Sequence, residues 1–313
     1  MSTQDQALRL GTRGSDLALT QAHGIAARLG ELGVACEVVI IRTSGDADQV
    51  RPFAQVGAPG LFVRELEGAL EEGRVDVAVH CYKDLPSLSP EGLVVAAMPE
   101  REDPRDRLLV RAEHHDADAG PIPVRQGCRV GTASARRTAL LAHLRPDLEA
   151  THLRGNVPTR VQRLREGQHD AVLLAGAGLD RLALAASRGE CAPLDLEGLV
   201  VHDLDPTLFV PAPSQGALAL QVRRDDARAA ELVQRLDQPE EHELVRAERA
   251  LLAAVEAGCQ VPFGAWCRRE GEELELFAAL DVDGELRRST QRGRDPRDLA
   301  RAVHDDLLPE RER

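Results

Sequence analysis

The stretch VDVAVHCYKDLP, residues 75–86, is the most informative part of this chain because a strand pattern leads there into a charged pair. Its first half, from Val75 to His80, is apolar and rich in valine, which is typical of a buried strand. Its second half holds Lys83 beside Asp84, and Lys83 is the single lysine among 39 lysine and arginine residues. Strand ends in open α/β sheets face the ligand crevice, so this pair predicts a working site. The alternative is that an arginine-rich composition left one lysine here by chance.

Composition narrows the class of protein and of partner. The 313 residues are 43% hydrophobic and 29% charged, which predicts a soluble globular protein of two or three domains. No apolar run approaches the ~20 residues of a membrane span, and the first six residues lack the basic and apolar regions of a signal peptide. We therefore expect a cytoplasmic protein with no membrane partner. A net charge of −13 and 2% aromatic residues argue against a nucleic-acid partner.

The predicted elements alternate between strand and helix through about residue 200, which is typical of α/β domains. A charged segment at 99–107 is predicted to be a linker, and a second strand-and-helix set begins near Leu108. The segment 217–222 is predicted to be a strand that returns to the first domain. A long helix at 239–256, followed by strand-like pieces, predicts a smaller α+β domain. The expected domains are residues 1–104 with 212–236, residues 105–211, and residues 237–313.

Cysteine and histidine spacing does not indicate a metal centre. Six cysteines contain no CxxC pair, so neither a zinc ribbon nor a redox motif is predicted, and the thiols are expected to be free. The group His114-His115-Asp116 is interpreted as a solvated loop, because no further ligand has helpful spacing. We predict no metal ion.

Three segments share a strand end, a small polar turn and a helix start, with arginine close by. They are LGTRGS at 10–15, VGTASARR at 130–137 and LRGNVPTR at 153–160. Helix N-termini attract anions, and the guanidinium group matches carboxylate or phosphate. Each segment alone is interpreted as an ordinary cap with surface arginines. Three together, with Lys83 and Arg181, predict a ligand with many negative groups, and both phosphates and carboxylates remain open.

Asp84 and Cys259 are the two side chains suited to covalent or proton chemistry. A carboxylate among arginines stays ionised, so Asp84 is predicted to stabilise a cation or move a proton. Cys259 follows Gly258 at the end of the long helix, where a loop thiol could be a nucleophile or a covalent tether. The alternatives are a structural Lys-Asp pair and a buried, inert cysteine.

Six motifs in order resemble the hydroxymethylbilane synthase family, also called the porphobilinogen deaminase family. They are HCYKDLP at 80–86, REDPRD at 101–106, VGTASARR at 130–137, LRGNVPTR at 153–160, PSQGA at 213–217 and EAGCQVPFG at 256–264. The resemblance implies an α/β fold of two periplasmic-binding-protein-like αβ domains with a smaller C-terminal α+β domain. It implies stepwise deaminative condensation of four porphobilinogen molecules, then hydrolysis to linear hydroxymethylbilane. It also implies a monomer.

The resemblance further implies a dipyrromethane cofactor attached to Cys259 through a thioether, with Asp84 as the catalytic acid/base. The cofactor- and substrate-binding residues that it implies are Arg13, Ser15, Phe62, Lys83, Thr132, Ser134, Arg136, Arg137, Arg154, Gly155, Asn156, Arg160, Arg181 and Gln215.

The chain departs from the family pattern in one loop and at a few single positions. Gln55 and Pro59 stand where lysines are frequent, Cys81 where serine is usual, Ala257 where glycine is usual and Pro158 in place of a commoner glycine. Activity is still predicted. The alternatives are a non-enzymatic anion-binding protein on the same scaffold and a family member that holds the cofactor but turns over poorly. A cysteine hydrolase is disfavoured, because no histidine is positioned by sequence to activate Cys259.

Overall fold

The computed structural model describes residues 6–42, 63–255 and 262–309, which form two five-stranded α/β units and one smaller unit. The strands are β1 (Leu8–Thr12), β2 (Cys36–Ile40), β3 (Val77–Cys81), β4 (Leu93–Ala97), β5 (Asp106–Arg111), β6 (Arg129–Thr132), β7 (Glu149–His152), β8 (Ala171–Ala175), β9 (Leu199–Asp203), β10 (Leu218–Arg223), β11 (Phe263–Glu270), β12 (Glu273–Val282) and β13 (Glu285–Gly293). The α-helices are α1 (Asp16–Glu31), α2 (Arg64–Glu71), α3 (Ala135–Leu144), α4 (Val157–Arg165), α5 (Gly176–Ser187), α6 (Ala227–Gln234), α7 (Pro239–Ala254) and α8 (Pro296–Leu307). None of the helices within these ranges is long and apolar enough to cross a membrane.

The first unit is built on a sheet of strand order β2-β1-β3-β10-β4. Strands β2, β1 and β3 run parallel, and β10 lies antiparallel between β3 and β4. Leu8 and Leu10 of β1 are fully buried in a core that also receives Ile25 and Leu29 of α1. Strand β3 lies between β1 and β10 and is buried as the sequence predicted, with His80 as its one polar side chain.

The second unit repeats this arrangement with the order β7-β6-β8-β5-β9. Here β6 runs parallel to β7 and β8, and β5 lies antiparallel between β8 and β9. The chain therefore crosses twice, since β5 enters the second sheet after the first unit and β10 returns to the first sheet. The predicted return strand is confirmed, and so is the α/β class with two similar αβ units.

The prediction that residues 99–107 form a charged linker is wrong for the last two residues. Asp106 and Arg107 belong to β5, and Asp106 is completely buried instead of solvated. Earlier in the segment, Arg101 forms an isolated antiparallel bridge with Ala217. The end of the segment is part of the second unit, because Asp106 accepts hydrogen bonds from Arg136 and Arg137. The exact domain boundaries stay a prediction.

The third unit is an antiparallel β11-β12-β13 sheet with α7 and α8 on one face. The sheet also reaches the second unit, where Trp266, Ala279 and Leu286 pack against that unit's core. The predicted smaller α+β unit is confirmed. Helix α7 also contacts the first unit near the Lys83-Asp84 pair, where Arg249 donates to the Tyr82 carbonyl.

Candidate active site

The ends of β3 and β6 bring charged side chains of the first two units together. Strand β3 leads into a single 3₁₀ turn, Tyr82–Asp84, which carries Lys83 and Asp84. We call the surrounding group the strand-end cluster, and it comprises Lys83, Asp84, Asp106, Arg136, Arg137, Arg160 and Gln215. These residues are distant in sequence, so the crossing topology creates the cluster.

Asp106 is the internal anchor of the strand-end cluster. Its carboxylate accepts hydrogen bonds from Arg136 Nη1 at 2.7 Å, from Arg137 Nε and Nη2 at 3.1 and 2.7 Å, and from Gln215 Nε2 at 2.9 Å. Burial alone would raise the pKa of the Asp106 carboxyl, but the charges of the two arginines outweigh burial and hold the pKa far below its ordinary value. Asp106 is therefore an anion at every pH at which the protein works.

Gln215 joins this anchor to the predicted catalytic pair. Its Nε2 also donates to the Pro104 carbonyl at 2.7 Å, which leaves its Oε1 to accept from Lys83 Nζ at 3.2 Å. Burial lowers the pKa of the Lys83 ammonium and the charge of Arg137 lowers it further, while Asp84 opposes both effects. The Lys83 ammonium is thus fixed by one neutral acceptor and one carboxylate neighbour.

Arg160 extends the basic part of the cluster from the first turn of α4. Its Nε donates to the Gly155 carbonyl at 2.8 Å. Burial, followed by the charges of Arg137 and Arg163, lowers the pKa of Arg160 to about 10, and only Asp84 acts in the opposite sense. Asp84 and Asp106 relieve only part of the repulsion among these cations, which is the electrostatic condition of an anion-binding site.

The predicted turns form as helix caps. Ser15 accepts from the Ala18 N–H at 3.4 Å, Ser134 from the Arg137 N–H at 3.4 Å and Asn156 from the Thr159 N–H at 3.0 Å. These oxygens serve their own helices, so the ordinary-cap interpretation describes their observed contacts. Thr132 is buried, and its hydroxyl accepts from the Ser134 N–H at 3.2 Å.

Gly155, in the segment 153–160, has a backbone conformation that favours glycine. Its φ is +103°, and a Cβ placed there would lie 2.7 Å from the Thr159 methyl group. A side chain at this position would therefore disturb the start of α4. Arg154, the preceding residue, is half-buried, and its carbonyl accepts from Arg163 Nη1 at 3.2 Å.

Three of the predicted binding arginines are buried and engaged by the protein, and one of them is Arg137, which is 6% exposed and held by Asp106. Arg136 is 5% exposed and also donates to the Val210 carbonyl at 2.8 Å. Arg181 is 7% exposed, donates to Glu100 Oε1 at 3.1 Å and to the Gly216 carbonyl at 2.7 Å. Their roles as ligand contacts stay predictions, and the observed bonds favour support of the framework.

The remaining predicted residues are only partly described. Arg13 lies half-buried after β1. Phe62 and Cys259 lie outside the described residues, as do Gln55 and Pro59 of the divergent loop. Cys81 is half-buried beside the pair, with its Sγ 3.4 Å from Gln21 Nε2.

The sequence interpretation missed the residues that hold the cluster in place. Asp106 was quoted only as part of a linker motif, although the apolar run that begins at Leu108 could have been extended back to it. Glu248 and Arg249 of α7 also reach the first unit, and Glu248 accepts from Arg101 Nη2 at 2.8 Å. The available signal was the occurrence of two adjacent charged residues, Glu248 and Arg249, among the apolar positions of an amphipathic helix.

Comparison with known proteins accounts for nearly the whole described chain. The family model "Porphobilinogen deaminase, dipyromethane cofactor binding domain" matches residues 8–231, and "Porphobilinogen deaminase, C-terminal domain" matches residues 242–308. The chain belongs to the porphobilinogen deaminase family. The family's cofactor is dipyrromethane, and the matched cofactor-binding part contains the strand-end cluster.

Curated relatives match this chain over most of their length. The chain is 41% identical to a porphobilinogen deaminase of Syntrophobacter fumaroxidans, over 97% of this chain and 95% of the relative. It is 42% identical to the Roseiflexus sp. porphobilinogen deaminase, over 97% and 96%. A Pelobacter propionicus porphobilinogen deaminase is 44% identical over 88% and 84%.

Solved structures give weaker likenesses. The Bordetella pertussis BvgS periplasmic VFT2 domain has a TM-score of 0.41 and 16% identity, over 74% of this chain and 86% of that one. An ancestral arginine-binding protein bound to arginine has a TM-score of 0.39 and 15% identity, over 77% and 94%. Likenesses at these scores carry no argument about this chain.

Proposed function

We propose that the strand-end cluster is where this chain performs the porphobilinogen deaminase reaction of its family. Four porphobilinogen molecules are condensed with loss of ammonia, and hydrolysis releases linear hydroxymethylbilane. Asp84 is the catalytic acid/base, and Lys83, Arg137 and Arg160 bind substrate carboxylates.

The observation that carries the proposal is the surplus of cations around Asp84. Arg137 lies within electrostatic range of both Lys83 and Arg160, and burial lowers the pKa values of Lys83 and Arg160. Arg136 and Arg137 share the second carboxylate, Asp106, so the cluster's four cations are matched by only two carboxylates. A ligand that brings carboxylates would relieve this repulsion, because charge-assisted hydrogen bonds to guanidinium groups are strong.

The donor set fits the family's dipyrromethane cofactor. Each pyrrole ring of porphobilinogen origin carries an acetate and a propionate, so both the cofactor and the growing chain are polyanions. Arg137 is held by Asp106 and by its Nη1 bond to the Leu173 carbonyl at 2.9 Å, and Arg160 by the Gly155 carbonyl. Fixed cations of this kind suit carboxylates in a defined orientation better than mobile surface arginines do. When bound, dipyrromethane supplies the terminal pyrrole carbon to which the first substrate carbon is joined.

Asp84 is suited to the two charge changes of each round. The carbon–nitrogen bond of the substrate's aminomethyl group breaks, ammonia leaves, and positive charge appears on the substrate ring. The Asp84 carboxylate would accept a hydrogen bond from the pyrrole N–H and stabilise that charge. After the new carbon–carbon bond forms, the pyrrole α-carbon that supplied the bonding electrons must lose its proton, and the same carboxylate can receive it.

Lys83 and Gln215 have supporting parts in this scheme. The ammonium of Lys83 would bind a substrate carboxylate close to Asp84. This contact would orient the substrate ring relative to the Asp84 carboxylate. Gln215 keeps that ammonium oriented, because its amide is fixed by Asp106 and by the Pro104 carbonyl. Orientation of this kind is a large part of catalysis between two bound rings.

Cys259 is proposed as the attachment point of the cofactor through a thioether. Helix α7 ends at Ala254, five residues before this cysteine, and α7 is anchored to the first unit by Glu248. The attachment would therefore lie five residues after the end of a helix that is anchored to the first unit. Phe62 is proposed to contact the cofactor from the first unit.

The working context is also proposed. A net charge of −13 disfavours nucleic acid as a partner, so porphobilinogen is the expected partner. We propose a cytoplasmic monomer.

The first experiment is intact mass spectrometry of the freshly purified protein beside a Cys259→Ser variant. The parent should be heavier than its chain by two linked pyrrole units, and the variant should have its bare chain mass. A parent at bare mass that neither gains mass nor consumes porphobilinogen on incubation would refute the proposal.

The second experiment tests Asp84 directly. Asp84→Asn should keep the cofactor mass and the unfolding temperature while turnover falls by about 100-fold or more. The matched control is Asp195→Asn, an exposed carboxylate paired with Arg165, which should turn over like the parent. Parent protein that binds carboxylate ligands but shows no turnover would support the anion-binding alternative instead.

A further inference from the structure

Arg249 of α7 reaches from the third unit to the turn that carries Asp84. Its Nη1 donates to the carbonyls of Tyr82 and Leu85, at 3.4 Å each, and its Nη2 donates to the carbonyl of Pro86. One guanidinium thus contacts carbonyls immediately before and after the Lys83-Asp84 pair.

The same helix also holds the side chains that flank the pair. The guanidinium carbon of Arg249 lies 4.6 Å from the centroid of the Tyr82 ring, within cation–π range. Val245, one turn earlier, packs with Tyr82 and Leu85 in one buried cluster. The residues on both sides of the Lys83-Asp84 pair, Tyr82 and Leu85, are therefore held by the same face of α7.

The turn has little internal restraint. A single backbone bond closes it, from the Leu85 N–H to the Tyr82 carbonyl at 3.2 Å. One-turn 3₁₀ segments have poor hydrogen-bond geometry, so outside contacts decide how firmly such a turn is held. The Tyr82 N–H donates to the Ala217 carbonyl at 3.0 Å and Lys83 donates to Gln215, and Arg249 adds its three contacts to carbonyls of this segment. Burial lowers the pKa of the Arg249 guanidinium and so opposes its charge.

We propose that Arg249 is a positioning residue that fixes Asp84 for proton transfer and charge stabilisation. The inference rests on the proposed function, because it gives Arg249 a role only through Asp84. It couples the unit that bears Cys259 to the turn that bears Asp84. A displacement of about 1 Å at a catalytic group can cost on the order of 100-fold in rate, so loss of this contact should be visible in turnover.

The test compares Arg249→Met and Arg249→Lys with the parent holoenzyme. Arg249→Met should lower kcat by roughly 10- to 100-fold while KM for porphobilinogen changes less than about threefold, because substrate carboxylates are bound elsewhere. Arg249→Lys should recover part of kcat, since an ammonium can serve one or two of the three carbonyls. The control is Arg246→Met on the same helix, an exposed arginine, which should leave kcat unchanged.

A double-mutant cycle separates positioning from general support of the fold. If Arg249 acts through Asp84, Arg249→Met should change the single-turnover rate of an Asp84→Asn protein by less than about threefold. Hydrogen exchange in the segment 82–86 should be at least about tenfold faster in Arg249→Met than in the parent.

Three results would overturn the inference. One is an equal fractional loss of rate with and without Asp84, and another is an unchanged kcat in both Arg249 variants. The third is unchanged exchange in segment 82–86. Failure of the proposed function would look different: the parent would not turn over, or Asp84→Asn would be as fast as the parent.

Discussion

Replacement of Asp106 by asparagine should destabilise the protein more than any other single carboxylate change near the strand-end cluster. Asparagine keeps the shape of the side chain but removes its charge. Arg136 and Arg137 then remain buried, with no counter-charge at the 2.7 Å contacts that each now makes. Loss of one partner of a buried ion pair leaves an uncompensated charge, which is the costly case.

The expected loss follows from the burial of all three groups. Breaking such a pair costs about 3–5 kcal/mol. For a chain of 313 residues the entropy of unfolding is about 0.7 kcal/mol/K, so the midpoint of thermal unfolding should fall by roughly 5–8 °C. Because the pKa of Asp106 is held far below its ordinary value, this stabilisation is fully present above about pH 4 and is lost only as pH falls further. The difference between the proteins should therefore be constant from about pH 5 to pH 8.

The assay is thermal unfolding of parent and variant, followed by circular dichroism at several pH values. Asp103→Asn is the matched control, because Asp103 lies three residues earlier and its partner Arg105 is 39% exposed. An exposed pair contributes about 0.2–1 kcal/mol, so the control should fall by less than about 2 °C. An Asp106→Asn midpoint within 2 °C of the parent, or one that converges with the parent by pH 5, would refute the reasoning.

Three further changes have distinct expected results. Arg160→Met should raise KM for porphobilinogen by about 10- to 100-fold in steady-state kinetics, because one charge-assisted hydrogen bond contributes about 1.5–3 kcal/mol. Burial lowers the pKa of His80 to about 4, so the unfolded state binds the extra proton first and stability falls as pH drops from about 6.5 to 4. His80→Gln should remove this pH-dependent loss, which amounts to up to about 3 kcal/mol in the free energy of unfolding measured by denaturant titration at several pH values. Gly216→Ala should give little folded protein on expression, because a Cβ would lie 2.2 Å from the Glu102 carbonyl oxygen at a φ of +90°.

Controls for these changes come from similar residues in open surroundings. Arg165→Met, on the same helix as Arg160 but exposed, should leave KM unchanged, and an equal rise would contradict the role of Arg160. Gly271→Ala shares a positive φ of +64° but meets nothing within 4 Å, so it should cost far less than Gly216→Ala. Equal yields of the two alanine variants would contradict the steric argument. A His80→Gln profile parallel to the parent would contradict the histidine assignment.

The sequence by itself determined the local features of this protein. Valine-rich β3 had to be a covered strand, Ser15 and Ser134 had to cap helices, and the segment 217–222 had to extend as a strand. Hydrogen bonds over three or four residues and short apolar periods decide such features, and both can be read along the chain. The family motifs added the activity and the identity of the cofactor.

Only the tertiary structure decided which charged residues are buried and paired with one another. Asp106 and Arg136 are 30 residues apart, Gln215 and Asp106 are 109 apart, and Arg249 reaches Tyr82 across 167 residues. The sequence did not show that Arg136 is buried or that Asp106 lies in a strand, because nothing local distinguishes a buried charged residue from an exposed one. Burial and pairing depend on the two chain crossings and on the docking of α7. The electrostatics of this site is therefore a property of the assembled fold.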